Sequence, residues 1–284
     1  MKLLTYDAGS GAHVGLATDD GIVDLTTRAG VKSLRELIAA GRVDEMAEFA
    51  GETPDHPLDG VTYLPVIPDP DHIWCVGVNY MDHLQEAIDA GLPRSKSEFP
   101  MIFGRYADTL VGHQQPMLKS PVVNKLDYEC ELAVIIGKPG RYISKEDALS
   151  HVAGYSCFNE GSARDWQYHT AQVVPGKNFQ GTGGFGPWMV TADEIPDPQI
   201  LDISTVLNGE TLQSANTKDM IFDVATTISY VSHISELQPG DVIASGTPAG
   251  VGQSREPQIF MQIGDSCEIR IENVGTLVNG IAEG

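Results

Sequence analysis

The stretch from residue 126 to residue 136 constrains the fold more than any other part of the chain, because apolar and acidic side chains alternate along it. In a β-strand, successive side chains point to opposite faces. One face then carries Leu126, Tyr128, Cys130, Leu132, Val134 and Ile136, and the other carries Asp127, Glu129 and Glu131, then Ala133 and Ile135. Carboxylates this close repel one another, and a hard cation such as Mg²⁺ or Mn²⁺ would relieve the repulsion. The pattern predicts either a metal site or a solvated face on an edge strand.

The composition places the chain among globular proteins and limits its partners. Hydrophobic residues make up 42% of the 284 residues, which is enough for a large core. The formal charge of -21 and the pI of about 4.5 argue against nucleic acid and anionic membrane surfaces as partners. The four cysteines lack metal or redox spacing, residues 1–7 do not resemble a signal peptide, and no apolar run is long enough to span a membrane. We therefore expect a cytoplasmic protein with reduced thiols.

Proline density predicts a domain boundary near residue 65. Five prolines lie between residues 53 and 70, and such a density favours an extended connector. We predict a small α+β domain over residues 1–65, where Ser33 caps a short helix, and a second domain over residues 70–284. In the second domain we predict a hairpin turn at Asn208-Gly209 and the best helix from Asp219 to Ile234. The glycine-rich run 181–188 lacks the spacing of a nucleotide loop and is predicted to be a tight turn.

Several polar residues near predicted strand ends could carry chemistry. His83 and Glu86 are three residues apart on a predicted short helix, where a carboxylate beside an imidazole makes a usable general base. Taken alone, the pair is more simply an exposed ion pair. Arg105 could hold a substrate carboxylate or lie on the surface, and Glu160, just after a predicted strand, could be a third oxygen ligand. The polar loop 91–98 is predicted to be mobile and able to act as a lid.

A series of short motifs occurs in a characteristic order. They are Gly77-Val78-Asn79-Tyr80-Met81-Asp82-His83, Leu126-Asp127-Tyr128-Glu129-Cys130-Glu131-Leu132, Ser162-Ala163-Arg164-Asp165-Trp166-Gln167, Lys177, Asn208-Gly209-Glu210, Pro239-Gly240-Asp241 and Gly246-Thr247-Pro248-Ala249-Gly250-Val251-Gly252. The series resembles the fumarylacetoacetate hydrolase superfamily, with its dioate isomerase/hydratase, acylpyruvase and oxaloacetate decarboxylase branches. The resemblance covers about residues 70 to 280. It implies an α+β fold that is mostly β, a mixed β-sandwich roll beside the small N-terminal domain, and a homodimer.

The resemblance also implies a set of site residues. It implies that Mg²⁺ or Mn²⁺ is held by Glu129, Glu131 and a third carboxylate, for which most relatives have Asp and this chain has Glu160. His83 and Glu86 match the family's lid dyad, and Lys177 matches a position that lines the substrate pocket or supports it; the resemblance implies catalytic roles for all three. Arg105 stands where many relatives have Lys, and Gln167 and Thr247 match positions that line the substrate pocket or support it. Asp127 matches no ligand position, and we expect a structural or supporting acid there.

The implied chemistry leaves three functions open. The first is hydrolysis of a C–C bond in an acylpyruvate-like 2,4-dioxo acid, with His83 and Glu86 activating water and a metal-stabilised enolate of a 2-oxo acid leaving. The second is decarboxylation of an oxaloacetate-like acid or keto–enol isomerisation of a dienedioate, which uses the same enolate and no water. The third is a metal-containing protein without activity, against which the histidine–glutamate pair argues. In each enzymatic case the partner is a small 2-oxo acid.

Overall fold

Most of the regular structure is β-strand, as predicted. The computed structural model describes residues 1–89, 91 and 95–284. The strands are β1 Lys2–Asp7, β2 Ala12–Thr18, β3 Gly21–Asp24, β4 Thr62–Tyr63, β5 Ile73–Gly77, β6 Met101–Arg105, β7 Leu110–Val111, β8 Met117–Lys119, β9 Leu126–Asp127, β10 Cys130–Ile136, β11 Val152–Glu160, β12 Ser162–Ala163, β13 Gly183–Thr191, β14 Asp202–Leu207, β15 Glu210–Asn216, β16 Val242–Ala244, β17 Ser266–Ile271 and β18 Gly275–Glu283. The α-helices are α1 Leu25–Ala29, α2 Leu34–Ala39, α3 Met81–Asp89, α4 Arg164–Gln167, α5 Val174–Lys177 and α6 Val224–Ile234. Short 3₁₀ helices cover Val43–Phe49, Ala107–Thr109, Ala148–His151, Ala192–Glu194, Thr217–Asp219 and Gly252–Ser254.

Two mixed sheets pack face to face, which confirms the predicted β-sandwich. The larger sheet has 11 strands, with β3-β2-β1-β13-β11-β10-β16-β5-β6 as its main path, and the smaller has the order β15-β14-β17-β18-β8. Most pairs are antiparallel, but β16 runs parallel to β5 and β18 parallel to β8. The main core lies between the sheets and is built from Leu132, Val134, Cys157, Ile203, Ile269 and Leu277, among others. The sandwich fixes β10 and β11 at the centre of the larger sheet.

The strand β10 is covered on both faces. Leu132 and Val134 point into the core between the sheets, whereas Ala133 and Ile135 join a second core with residues of the first 50 positions. Glu129 and Glu131 are 4% and 1% exposed. The interpretation of a solvated face on an edge strand is therefore wrong, because β11 and β16 flank β10 on either side.

The N-terminal segment extends the larger sheet. β1 pairs antiparallel with β13 through Lys2–Val190 and Leu3–Met189, and the helix α2 covers the outer face of the sheet. Ser33 caps α2 as predicted, since its hydroxyl accepts a hydrogen bond from the Glu36 N–H at 3.1 Å. The division into domains over residues 1–65 and 70–284 stays a prediction. The larger sheet and the second core each contain residues from both segments.

Three local predictions can be compared directly with the structure. The Asn208-Gly209 turn has positive φ at both residues, 51° and 85°, as a type I′ hairpin requires. The helix predicted from Asp219 begins later, at Val224, because Asp223 caps it and the Asn79 side chain binds the backbone of Phe222 in a non-helical conformation. The run 181–188, predicted to be a tight turn, instead opens the strand β13. The loop predicted over 91–98 falls partly outside the described residues.

No helix in the described ranges is long and apolar enough to cross a membrane.

Candidate active site

Three buried glutamates meet where β10 begins and β11 ends. The two strands run antiparallel and place Glu131 opposite Phe158, so that Glu129 and Glu160 come together at the same end. The Glu160 N–H donates to the Glu129 carbonyl oxygen at 3.0 Å. One carboxylate oxygen from each glutamate lies within 4.8 Å of the others. The alternation read from the sequence thus becomes a cluster of three carboxylates, with Glu160 as the predicted third member.

The cluster holds negative charge that its surroundings compensate only in part. Burial, together with repulsion from Glu160 and Glu129, raises the pKa of Glu131 well above its usual range. Burial also raises the pKa of Glu129, but attraction by Lys177 and Arg164 outweighs it and lowers that pKa to about 2. A further positive charge near Glu131 would therefore stabilise the cluster.

The three glutamates fit a divalent cation. They offer only carboxylate oxygens, the ligands that Mg²⁺ and Mn²⁺ prefer. Glu160 Oε1 is buried and accepts no hydrogen bond from the part of the chain that the structure describes, with Arg105 Nε at 3.5 Å from it. Such an unsatisfied oxygen is costly unless another group binds it. The longer glutamate arm at position 160 thus still directs an oxygen into the cluster.

Lys177 and Arg164 bring positive charge to the cluster from short helices. Lys177, the last residue of α5, places Nζ 2.6 Å from Glu129 Oε2 and 3.2 Å from Glu160 Oε2. Burial lowers the pKa of Lys177, but the two carboxylates raise it by more, so that the side chain is an ammonium. Arg164, the first residue of α4, places Nη2 2.6 Å from Glu129 Oε1. From the sequence we predicted a site role for Lys177 but none for Arg164.

Asp127 supports Arg164. Its carboxylate accepts hydrogen bonds from Arg164 Nε at 2.8 Å and from the N–H groups of Gly252 and Gln253 at 2.8 and 3.0 Å. Asp127 is fully buried, so this pair is screened little by water. The prediction of a supporting acid fits this position. The sequence did contain an indication of a role for Arg164. Three acids on one strand face require a positive charge nearby, and Arg164 lies only four residues after Glu160.

The histidine–glutamate pair lies on α3 and opens to the same cleft. His83 Nδ1 and Glu86 Oε2 are 2.9 Å apart, as the i,i+3 spacing predicted, and Glu86 Oε1 accepts the Gly250 N–H at 2.9 Å. Both side chains are mostly buried, so the interpretation as an exposed pair is wrong. Because Glu86 binds Nδ1, the nitrogen left to exchange protons is Nε2.

The glycine segment, residues 245–252, connects the separate parts of the site. Its backbone N–H groups bind Glu131 at Gly246, Glu86 at Gly250 and Asp127 at Gly252, each at 2.8–2.9 Å. Gly246 has a φ of +95°, and a side chain there would collide with Asn79 and the Val76 carbonyl. Glycine at this position is therefore needed for the backbone to approach Glu131.

The predicted substrate-binding residues divide into two groups. Gln167 and Thr247 line the cleft together with His83, Lys177, Arg164 and the three glutamates. Arg105 does not line it, because its guanidinium is buried behind Glu160 and donates to the Gly161 carbonyl at 2.9 Å. The structure therefore brings Arg105 to Glu160 and not to the cleft, and substrate contact by Arg105 stays a prediction without geometric support.

Most of the remaining wall of the cleft is apolar, although Gln253 and Ser254 also line it. Its apolar side chains are Val76, Val78, Ala87, Met101, Phe103, Val173 and Val251, with Tyr168 beside them. The cleft therefore has one end rich in charge and one hydrophobic wall. This arrangement suits a small molecule that has a polar end and an apolar end.

Comparison with known proteins agrees with this geometry. The family model described as Fumarylacetoacetate (FAA) hydrolase C-terminal matches residues 72–282. Oxaloacetate tautomerase FAHD2A, mitochondrial, from Bos taurus is 37% identical over 99% of this chain and 91% of its own length.

Two solved structures also resemble the chain along its whole length. Fumarylacetoacetate hydrolase from Exiguobacterium antarcticum has 36% identity and a TM-score of 0.84, with 100% of both chains covered. Maleylpyruvate hydrolase from Sphingobium sp. SYK-6, in complex with manganese(II) and pyruvate, has 29% identity and a TM-score of 0.83, again with 100% of both chains covered. With the family model, the relative and the fold in agreement, the chain belongs to the fumarylacetoacetate hydrolase family.

Proposed function

We propose that this enzyme uses a divalent cation to interconvert the keto and enol forms of a small 2-oxo acid, with an oxaloacetate-like dicarboxylic acid as substrate. The observation that carries the proposal is the meeting of three buried carboxylates and an oriented histidine in one cleft. The name of the Bos taurus relative, an oxaloacetate tautomerase, supports the choice of substrate.

Glu129, Glu131 and Glu160 would hold Mg²⁺ or Mn²⁺. When bound there, the cation polarises the 2-oxo group and so acidifies the adjacent C–H bond. A manganese(II) ion with pyruvate in the Sphingobium maleylpyruvate hydrolase is consistent with this donor set.

His83 is the group that would move the proton. Because Glu86 Oε2 can accept a hydrogen bond from the Nδ1–H, His83 Nε2 can take a proton from C3 of the keto form and deliver it to the 2-oxo oxygen, and the reverse transfer restores the keto form. Lys177, held as an ammonium, can donate a hydrogen bond to the 2-oxo oxygen as negative charge develops on it. The reaction moves one proton from carbon to oxygen and consumes no other reactant.

Hydrolysis of an acylpyruvate-like 2,4-dioxo acid, the first prediction from the sequence, is the second candidate. The same His83 could deprotonate a water molecule that attacks the distal carbonyl carbon, after which the C–C bond breaks and pyruvate leaves as its enolate. The similarity to a maleylpyruvate hydrolase favours this alternative. Decarboxylation is less well supported, because in that reaction the substrate loses CO₂ and His83 has no proton to remove.

A substrate panel separates these reactions. Oxaloacetate, an acylpyruvate and a dienedioate are incubated with Mn²⁺ or with EDTA, and enol absorbance, pyruvate and CO₂ are recorded. We expect Mn²⁺-dependent loss of the oxaloacetate enol signal without CO₂, abolished by His83→Ala. The control is His233→Ala, since His233 is exposed on α6. Pyruvate release from the acylpyruvate alone would favour hydrolysis, and equal rates for His83→Ala and wild type would exclude the histidine as the base.

The homodimer and the cytoplasmic location stay predictions. The location is supported by the four cysteines, which are all buried and unpaired.

A further inference from the structure

One buried amide connects the strand of the glutamates to the glycine segment. Gln213 on β15 is 1% exposed. Its Oε1 accepts hydrogen bonds from the Cys130 N–H at 3.1 Å and the Thr205 hydroxyl at 2.7 Å. Its Nε2 donates to Thr247 Oγ1 at 2.9 Å and to the Pro248 carbonyl at 2.8 Å. All four bonds that a glutamine amide can form inside a protein are thus made.

The orientation of this amide follows from its partners. The Cys130 N–H can only donate, so the atom facing it must be the amide oxygen. The Pro248 carbonyl can only accept, so the atom facing it must be the amide nitrogen. A flipped amide would set an N–H against the Cys130 N–H and an oxygen against the Pro248 carbonyl, which is costly in a buried site. Gln213 therefore always presents an N–H to Thr247.

This orientation determines the role of the Thr247 hydroxyl. Because Thr247 Oγ1 accepts a hydrogen bond from Gln213, its own hydrogen must point elsewhere. Thr247 lines the cleft beside the three glutamates. The Cys130 sulfur also lies next to it, but a thiol is a weak acceptor. Among the described residues, the Thr247 hydroxyl donates to no protein oxygen, so an oxygen that enters the cleft can be the strong acceptor for this hydrogen.

We propose that Gln213 is a positioning residue that makes Thr247 a permanent hydrogen-bond donor to the carboxylate of the bound 2-oxo acid. This inference rests on the proposed function, since the acid binds in the same cleft. The Cys130 N–H lies in the backbone between Glu129 and Glu131, so the same amide also holds the strand that carries two glutamates of the cluster. Gln213 thereby fixes the position of the donor relative to the charged end of the cleft.

The test measures ligand binding and does not depend on which reaction the enzyme catalyses. Pyruvate is titrated calorimetrically into the Mn²⁺-loaded protein, with methyl pyruvate as the ligand that lacks the carboxylate charge. Gln213→Met and Thr247→Val should each weaken pyruvate binding about 10-fold or more, the usual effect of losing a hydrogen bond to a charged group. Methyl pyruvate binding and Mn²⁺ affinity should change less than about 2-fold.

A double variant shows whether Gln213 acts through Thr247. If it does, Gln213→Met in the Thr247→Val background causes little further loss of pyruvate affinity. Thr205→Val is the matched control, because it removes a different partner of the same amide and should lower stability without weakening pyruvate binding. If Gln213→Met does not fold, Gln213→Glu replaces it in the test. The glutamate side chain has the same shape and still accepts hydrogen bonds from Cys130 and Thr205, but it loses the N–H donors to Thr247 and Pro248.

The outcomes separate this proposal from the proposed function. Wild-type affinity for pyruvate in the Gln213 variants, or losses that add fully in the double variant, would overturn the role of Gln213 alone. Absence of any pyruvate binding to the Mn²⁺-loaded wild type would overturn both.

Discussion

Replacing Glu131 by glutamine should stabilise the metal-free enzyme and abolish its response to Mn²⁺. The carboxylate of Glu131 is buried, with oxygens of Glu129 and Glu160 within 4.8 Å. At an effective dielectric constant of about 20, each repulsion at that separation costs ~3.5 kcal/mol. Lys177 and the Gly246 N–H offset part of this cost. Glutamine keeps the shape and an oxygen for Gly246, so we expect a net gain of about 1–3 kcal/mol.

The sign of the pH dependence follows from the raised pKa of Glu131. The folded state holds the proton above the pH at which the unfolded chain releases it, so the wild type loses stability as the pH rises above about 4.5. The Glu131→Gln variant lacks this contribution. Its advantage should therefore be absent near pH 4 and grow towards pH 8.

Thermal unfolding in EDTA and in Mn²⁺ measures both effects. A gain of 1–3 kcal/mol corresponds to a melting temperature about 2–5 °C higher for the variant in EDTA at pH 8. Mn²⁺ at about 100 times its Kd should stabilise the wild type by ~2.7 kcal/mol and leave the variant unchanged. Glu146→Gln, at an exposed position, is the control and should shift stability by less than about 0.5 kcal/mol. A variant less stable than wild type in EDTA would refute the repulsion argument, and equal stabilisation by Mn²⁺ would exclude Glu131 as a ligand.

Three further predictions concern stability. Asp127→Asn should lower the free energy of unfolding by about 1.5–3 kcal/mol in urea titrations, because it removes a charge-assisted hydrogen bond to Arg164, which keeps only Glu129 as a charged partner; a loss below about 0.5 kcal/mol would contradict the pairing. Gly252→Ala should cost about 3 kcal/mol or more, since the new Cβ would collide with the Ile259 carbonyl oxygen, whereas Gly51→Ala meets open space and serves as the control. Burial lowers the pKa of His113 to about 4, so the wild type should lose up to about 3 kcal/mol as the pH falls from 6.5 to 4; the same loss in His113→Asn would exclude this histidine.

Several features could be predicted because they depend on residues close together in the chain. The period of two along residues 126–136 placed Glu129 and Glu131 on one face, and the spacing of three on α3 joined His83 to Glu86. The Ser33 cap and the Asn208-Gly209 turn also depend on a few neighbouring positions. Local geometry fixes such contacts in any fold that keeps the element.

Other features could not be predicted because their partners are distant in sequence. The start of α6 at Val224 depends on Asn79, which binds Phe222 across 143 positions. Nothing in the sequence around Asn79 indicates this contact. Arg105 was predicted to hold a substrate carboxylate or to lie on the surface, but it is buried behind Glu160. Its guanidinium is enclosed by Thr109, Thr182 and the Gly161 carbonyl, which it binds.

The sequence by itself determined that this chain carries alternating carboxylates on a strand, a histidine–glutamate pair on a helix and a motif order that resembles one family. Only the tertiary structure decided that the carboxylates are buried on a central strand, that Arg164 and Lys177 neutralise part of their charge, and that Gln213 orients Thr247. The physical reason is that strand periodicity sets the direction of a side chain, whereas its burial, charge and hydrogen-bond partners depend on segments that only folding brings together. The Gly246 N–H reaches Glu131 across 115 positions of the chain, and no local pattern records that contact.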